Sequence, residues 1–321
     1  MRRLAVLVTA PMLVMGLLTA CGGGSSSGDG ADSGGLPKVS GTYGDKPKVT
    51  VEKGAVASKK LATTVLSEGD GKKVAKGDLL VADYLGSVYK TGKVFDNSYD
   101  RKAPAAFPIG VGQVVPGWDK ALVGVKVGSR VEMVLPPKEG YGAKGNSQAG
   151  IKGTDSLVFV VDVIASYGPK VTTPAPTPVT PLPKALPTVT GEWGAEPTVA
   201  VAKGTAPPTK QATTVLATGT GPTIAKGKLL IVQYKAVSWA GKELSKTWGA
   251  TGGGARGVAV GVSPATTGGA NPFDLLLGKP VGSRVLLTLP AQKGADANKE
   301  SIAVVIDVLG QNGTAKQEKA S

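Results

Sequence analysis

The stretch VADYLGSVYKTGKVFDNSYDRKAPAAFPIGVGQVVPGWDKALVGVKVGSRVEMVLPPKEGYGAKG, residues 81–145, closed by SLVFVVDVI at 156–164, decides how this chain folds. The runs at 79–84, 130–135 and 157–164 are β-branched or apolar and bounded by Gly, Pro or Asp, as strands are. One short helix is expected from Trp118 through Leu122, before Gly124 stops it. Strands with a single helix imply an antiparallel sheet wrapped on that helix, an α+β domain. The same region gathers aromatic side chains: Tyr84, Tyr89, Phe95, Tyr99, Phe107, Trp118, Tyr141 and Phe159. Such a concentration suits a core, but buried Tyr and Trp also need polar partners. An aromatic-lined cleft is a usual way to hold a proline ring.

Working outward, much of the chain occurs twice. SGTYGDKPKVTVEKG (40–54) matches TGEWGAEPTVAVAKG (190–204), ATTVL recurs at 62–66 and 212–216, and AKGDLL (75–80) matches AKGKLL (225–230). VGSR recurs at 127–130 and 281–284, with a slightly larger offset that places insertions in loops. The period is far too long for a solenoid and reads as a duplicated domain. Between the copies, GPKVTTPAPTPVTPLPKALP (168–187) has the composition of a semi-rigid polyproline II spacer. The resulting division is 38–168, a linker at 169–189, 190–310, and a polar tail at 311–321.

The N-terminus reads as an address. Arg2 and Arg3 precede an apolar stretch, 4–18, too short for a comfortable membrane span but suited to a signal peptide over 1–20. Leu18-Thr19-Ala20-Cys21 matches the bacterial lipobox, and the cysteine in it is the only one of the chain. Cys21 is the expected lipidation site, with 21–37 a Gly/Ser/Asp-rich tether. Localisation is expected to be extracytoplasmic, on the cell membrane through the lipid anchor.

Composition narrows the chemistry. The chain contains no histidine, so a Ser/His/Asp triad, a Cys/His pair and a His-ligated metal are excluded. A single cysteine excludes an intramolecular disulfide and a thiolate metal cage. We therefore expect neither metal nor cofactor. The net charge of +14 is scattered rather than clustered, which fits a solvated surface near an anionic envelope and argues against nucleic-acid binding.

The ordered motifs YxG, GKxFDxSxxR, a GQVVPGW-like turn, VGxR, PxxxYG and LVFxVxV make 75–165 resemble the FKBP-type peptidyl-prolyl cis-trans isomerases. The resemblance implies two FKBP-like domains, the second degenerate. It implies a cleft floored by Trp118 and walled by Tyr84, Phe95, Val114, Val115 and Phe159. Tyr141 would donate its hydroxyl to a substrate carbonyl, Ile151 would close one side, and Asp96 would stand at the rim, held by Arg101. Tyr84, Asp96 and Tyr141 are the expected catalytic set, and Phe107 is assigned to the core. The sequence departs from the family pattern at Ala105, Gln113 and Asn146, positions that bear on macrolide affinity and substrate preference. The implied partners are proline-containing polypeptides and, by the same resemblance, macrolides. In the second copy Leu244 and Ser245 replace Phe95 and Asp96, Phe273 replaces Trp118, Ala295 replaces Tyr141 and Val304 replaces Phe159. A glycine-rich stretch at 252–257 takes the place of the rim near Arg101. An isomerase assisting the folding of exported proteins is the leading reading. A non-catalytic envelope chaperone or adaptor is the alternative, and a transporter's substrate-binding lipoprotein fits poorly because it needs α/β lobes.

Overall fold

The computed structural model describes residues 36–169, 173–249, 253–261, 271–291 and 300–319. The lipobox cysteine Cys21, the tether through residue 35, residue 252 and Ala295 lie outside the described residues.

The first lobe begins with a hairpin arm, β1 (Lys38–Ser40) and β2 (Lys48–Thr50). Strands β3 (Ala62–Ser67), β4 (Leu79–Val88), β5 (Val94–Asn97) and β6 (Ala105–Pro108) follow. Helix α1 (Pro116–Leu122), β7 (Arg130–Leu135) and β8 (Leu157–Tyr167) complete it. The antiparallel sheet has the order β3-β7-β8-β4-β5, with β6 paired to the start of β4. Strand periodicity selects the faces. Leu80, Ala82 and Tyr84 of β4, Val131, Met133 and Leu135 of β7, and Phe159, Val161 and Val163 of β8 point to one side. There they meet Trp118 and Leu122 of α1 in one core.

Helix α1 starts where the chain demands it. Val115 is extended, Pro116 supplies the fixed φ favoured in a first turn, and Gly124 takes φ +89° just beyond the end. Gly117 lets the helix lie close on the sheet, because a Cβ there would sit 2.5 Å from the Leu135 side chain. Val49 and Val51 of the arm cover part of the sheet's other face, over Val134 and Val158. The arm is fastened by Arg130, buried in β7. Its Nε and Nη2 donate to Asp162 at 2.6 and 2.8 Å, and its remaining donors reach the carbonyls of Gly41 and Asp45.

The second lobe runs β9 (Thr177–Pro178), β10 (Thr188–Thr190), β11 (Thr198–Ala200), β12 (Ala212–Thr218), β13 (Leu229–Ser238), β14 (Glu243–Lys246), β15 (Arg256–Ala259), β16 (Arg284–Leu289), β17 (Ile302–Asn312) and α2 (Ala315–Lys319). Its sheet order is β9-β12-β16-β17-β13-β14, with β15 paired to β13. Apart from β9, this is the order of the first sheet. A 3-10 turn, Pro272–Leu276, stands where the first lobe has α1. The Pro/Thr-rich linker is more than a spacer. Its β9 extends the second sheet through Ala217 and Pro178, and Leu186 packs beside Leu286 and Val305.

The two lobes meet through a shared apolar cluster. Leu79, Val81, Ile164 and Tyr43 of the first pack with Leu229, Ile231, Leu309 and Trp193 of the second. These are equivalent positions. Val81 pairs with Ala106 and Ala165 in one lobe, and Ile231 pairs with Gly257 and Gly310 in the other. Each copy thus presents the same face to its neighbour, a contact of isologous type within one chain. Small residues permit the approach: a Cβ on Gly257 would meet Ala106 at 2.7 Å, and one on Gly310 would meet Tyr167 Oη at 2.3 Å.

Candidate active site

On the helix side of the first sheet, β4, β5, β6, β8, the loop before α1 and the flap after β7 close around a hollow of about 180 Å³. Tyr84, Phe95, Asp96, Phe107, Gln113, Val114, Val115, Trp118, Tyr141 and Phe159 line it. That volume is on the scale of an engineered apolar cavity that binds benzene, about 150 Å³. The rings are set edge to face: Trp118 lies 5.7 Å from Tyr84, 4.9 Å from Phe107 and 5.3 Å from Phe159, and Phe95 lies 5.6 Å from Phe159. This is the arrangement favoured by aromatic quadrupoles. Trp118 is 3% exposed, and its indole N–H has no hydrogen-bond partner among the described residues.

Gly86 creates the space. It lies in β4 beside Phe159, and a Cβ there would come within 2.6 Å of the Phe95 ring and 2.8 Å of the Phe159 ring. The loop carrying Gln113 and Val114 is shaped by Asp119 of α1, whose carboxylate accepts from Gly110 N and Gly112 N at 2.6 and 2.7 Å. Lys120 of α1 donates to both oxygens of Glu139 at 2.7 Å, tying the helix to the flap that bears Tyr141. Tyr141 itself is 37% exposed at the mouth.

The rim is polar and connected. Tyr84 Oη donates to Asp96 Oδ2, while Arg101 donates to Asp96 Oδ1 at 2.5 Å and to Tyr84 Oη at 2.9 Å. The guanidinium also lies over the Tyr84 ring. Burial pushes the Asp96 carboxyl up. The Tyr84 and Arg101 hydrogen bonds and the Arg101 charge outweigh it and hold Asp96 below the ordinary carboxylate range. The Tyr84 hydroxyl is pushed up to about 12, by burial first and by its bond to Asp96 second, against the pull of Arg101. At neutral pH the rim therefore pairs a neutral phenol donor with an ionised carboxylate.

One assignment is extended and one corrected. Phe107 packs against the core as expected and lines the hollow as well: it pairs with Leu80 across β4 and β6 and so shares the inward face with Tyr84. That alternation was the available signal. Ile151 does not line the hollow. Its backbone bonds Asn146 in both directions at 2.8 Å, closing the flap, and its side chain is buried in the core. Arg101 is likewise not a lining residue; it braces the rim from outside. Gln113 is a lining residue that sequence reasoning treated only as a departure from a pattern.

The family described as FKBP-type peptidyl-prolyl cis-trans isomerase matches residues 70–164. The FK506-binding protein of Streptomyces anulatus is 36% identical over 121 residues, 38% of this chain and 97% of that one. This chain is an FKBP-type peptidyl-prolyl cis-trans isomerase. FK506-binding protein 2 of Dictyostelium discoideum is 39% identical over 118 residues (36% of this chain, 87% of that one). The FK506-binding protein of Neisseria meningitidis is 37% identical over 102 residues (32% and 92%).

Among the described residues of the isomerase's second lobe, several positions of the hollow carry other side chains. Tyr234 stands for Tyr84, but its hydroxyl meets Ser245 Oγ at 3.3 Å instead of a carboxylate. Ala236, paired with Val304, stands where Gly86 pairs with Phe159. Leu244, at the Phe95 position, is exposed. Phe273 keeps an edge contact with Tyr234 at 6.4 Å.

Proposed function

We propose that the hollow in the first lobe binds a prolyl ring and lowers the barrier to rotation of the preceding peptide bond. The observation that carries this is the convergence of Tyr84, Phe95, Val114, Val115, Trp118, Tyr141 and Phe159 on one ring-sized space edged by Asp96. The X–Pro barrier, about 18–20 kcal/mol, reflects lost amide resonance, so no nucleophile or base is required. A dry apolar floor favours the twisted, less polar C–N unit over the planar one. Binding the twisted form better than either ground state is what accelerates the reaction. Tyr141 holds the chain by donating to a substrate carbonyl, and Asp96, fixed by Tyr84 and Arg101, faces the carbonyl that turns.

The chain acts on exported proteins from a lipid anchor at Cys21. The lipobox sequence supports this address, and slow prolyl isomerisation as a limit on folding gives it a purpose. The second lobe is a degenerate FKBP-like domain without turnover, a reading supported by Ala236, Leu244, Ser245 and Val304 at the pocket positions. Macrolides of the FK506 class enter the same hollow of the first lobe.

The test is prolyl-peptide turnover by the full chain carrying Asp96→Ala or Tyr141→Phe, with FK506 titrated in parallel. Each variant is expected to lose about tenfold in kcat/KM, equivalent to roughly 1.4 kcal/mol. Unchanged turnover in both would remove the site.

A further inference from the structure

Behind the hollow, a fully buried hydrogen bond joins the two lobes. Asp83, adjacent to Tyr84 in β4, is fully buried. Its Oδ1 accepts from Ser98 Oγ at 2.7 Å, and its Oδ2 accepts from the backbone N–H of Ala315, the first residue of α2 in the second lobe, at 2.7 Å. Ser98 in turn clasps the backbone of Tyr84: Tyr84 N donates to Ser98 Oγ and Ser98 N to Tyr84 O, both at 3.0 Å. Ser98 opens the short loop between Asp96 and Arg101, the two charges of the rim. That loop is gripped along its length. Tyr99 donates to Asp162 at 2.9 Å, and Asp100 accepts from Lys46 at 2.7 Å. The seat of α2 is tight, since a Cβ on Gly44 would lie 2.9 Å from Lys316 Cα.

Among the described residues this network is built once. In the second lobe Gln233 and Thr247 occupy the places of Asp83 and Ser98. Thr247 repeats the clasp on Tyr234 at 2.9 Å, but Gln233 Oε1 has no hydrogen-bond partner among the described residues. Burial raises the Asp83 carboxyl above the ordinary range, with the Ser98 and Ala315 donors pulling against it. A carboxylate oxygen so placed needs its donor, because an unmet buried acceptor carries the full cost of its lost hydration.

We propose that Asp83 is a positioning residue through which the start of α2 holds the polar rim of the isomerase site. The second lobe, without turnover of its own, thereby contributes to turnover in the first. The inference rests on the assignment of Tyr84 and Asp96 to the site. Loss of the Ala315 donor would let Asp83 and Ser98 re-pair, shift the backbone at Tyr84, and loosen the Tyr84–Asp96–Arg101 set. The apolar walls on α1, β6 and β8 would stay in place, so substrate would still bind.

The test uses the full chain and a prolyl peptide, with kcat and KM resolved at a temperature where unfolding shows every variant folded. Ala315→Pro removes the donor at a position where proline suits a helix start, while adding ring atoms at a fully buried site, so it is read beside the Asp83 variants. Asp83→Ala removes the acceptor. Asp83→Asn keeps the links, because its carbonyl can accept from Ala315 and the Ser98 hydroxyl can accept from its amide. Ala315→Pro and Asp83→Ala are expected to lower kcat about fivefold with KM within twofold, and Asp83→Asn to stay within twofold of the parent in both. Should Ala315→Pro fail to fold, the Asp83 pair carries the test by itself. Full kcat in a folded Ala315→Pro or Asp83→Ala chain would overturn the proposal, as would a loss confined to KM. Asp96→Ala and Tyr141→Phe measured alongside separate the cases. Silence in both removes the site reading, whereas loss there with silence in the Asp83 and Ala315 variants removes only this inference.

Discussion

The two lobes share a frame and differ in what the frame holds. In the first, Arg130 is paired with Asp162 and donates to the carbonyl of Gly41; in the second, Arg284 is paired with Asp307 at 2.7 and 2.8 Å and donates to the carbonyl of Gly191. The same buried ion pair thus ties the same hairpin arm to the same strand in both. Around the hollow the agreement stops. Gly86, Phe95, Asp96 and Phe159 have become Ala236, Leu244, Ser245 and Val304. Sheet order survives these replacements among the described residues, so what specifies the fold and what builds the site are separable sets of residues, a few strand positions apart.

The sharpest way to break this comparison is to remove the shared pair. Arg130→Leu and Arg284→Leu each leave a buried carboxylate uncompensated, which costs about 3–5 kcal/mol. Denaturant unfolding of the two variants should show losses of similar size. A loss at only one position would mean the frames are not equivalent.

A pH series sharpens it next. Glu132, in β7 of the first lobe, is 2% exposed, and burial pushes its carboxyl up to about 7 from an ordinary 4.5. Leu286 holds that place in the second lobe. Between pH 4.5 and 7 the folded chain keeps a proton that the unfolded chain gives up. Stability from this site is therefore present below pH 4.5, falls as pH rises, and levels off above 7. Glu132→Leu should stabilise the chain at pH 8 by about 2 kcal/mol and by much less at pH 4. An equal gain at both would show that the carboxyl does not titrate there.

Smaller effects concern the hollow itself. Gly86→Ala copies the second lobe's Ala236 and drives a methyl into Phe95 and Phe159. Overpacking of this kind costs about 1–3 kcal/mol, so kcat/KM should fall tenfold or more while the chain remains folded by circular dichroism. The smallest change is expected from the reverse graft. Leu244→Phe with Ser245→Asp should leave total turnover unchanged, because Ala236 and Val304 still shape that region, and an increase would show a dormant second site.

Much of this was legible beforehand, and the omissions have physical causes. Three strands and the short helix at Trp118 were legible in the pattern of apolar runs and breakers, and eight of the ten residues that line the hollow are those the family resemblance implied. Phe107 packs against the core and also edges the hollow, because a ring at the boundary of a core and a ring beside a cavity leave the same trace in sequence. Ile151 was placed in the cleft because side-chain direction in a flap depends on which backbone groups close it, here those of Asn146. The contact between lobes was not read at all, although LLVADYLGSV is buried at every position. A strand buried on both faces in an antiparallel sheet implies a second cover. The 169–189 segment was read from composition, which reports stiffness but not whether an edge such as β12 is free to recruit it.

Because Leu79, Val81, Ile164 and Tyr43 rest on their own counterparts in the duplicate, severing the chain between the repeats would strand two greasy, mutually matching patches in water. Excised halves should seek each other, or a twin, before they settle as monomers. Covalent linkage makes permanent a contact that, between separate chains, would depend on concentration.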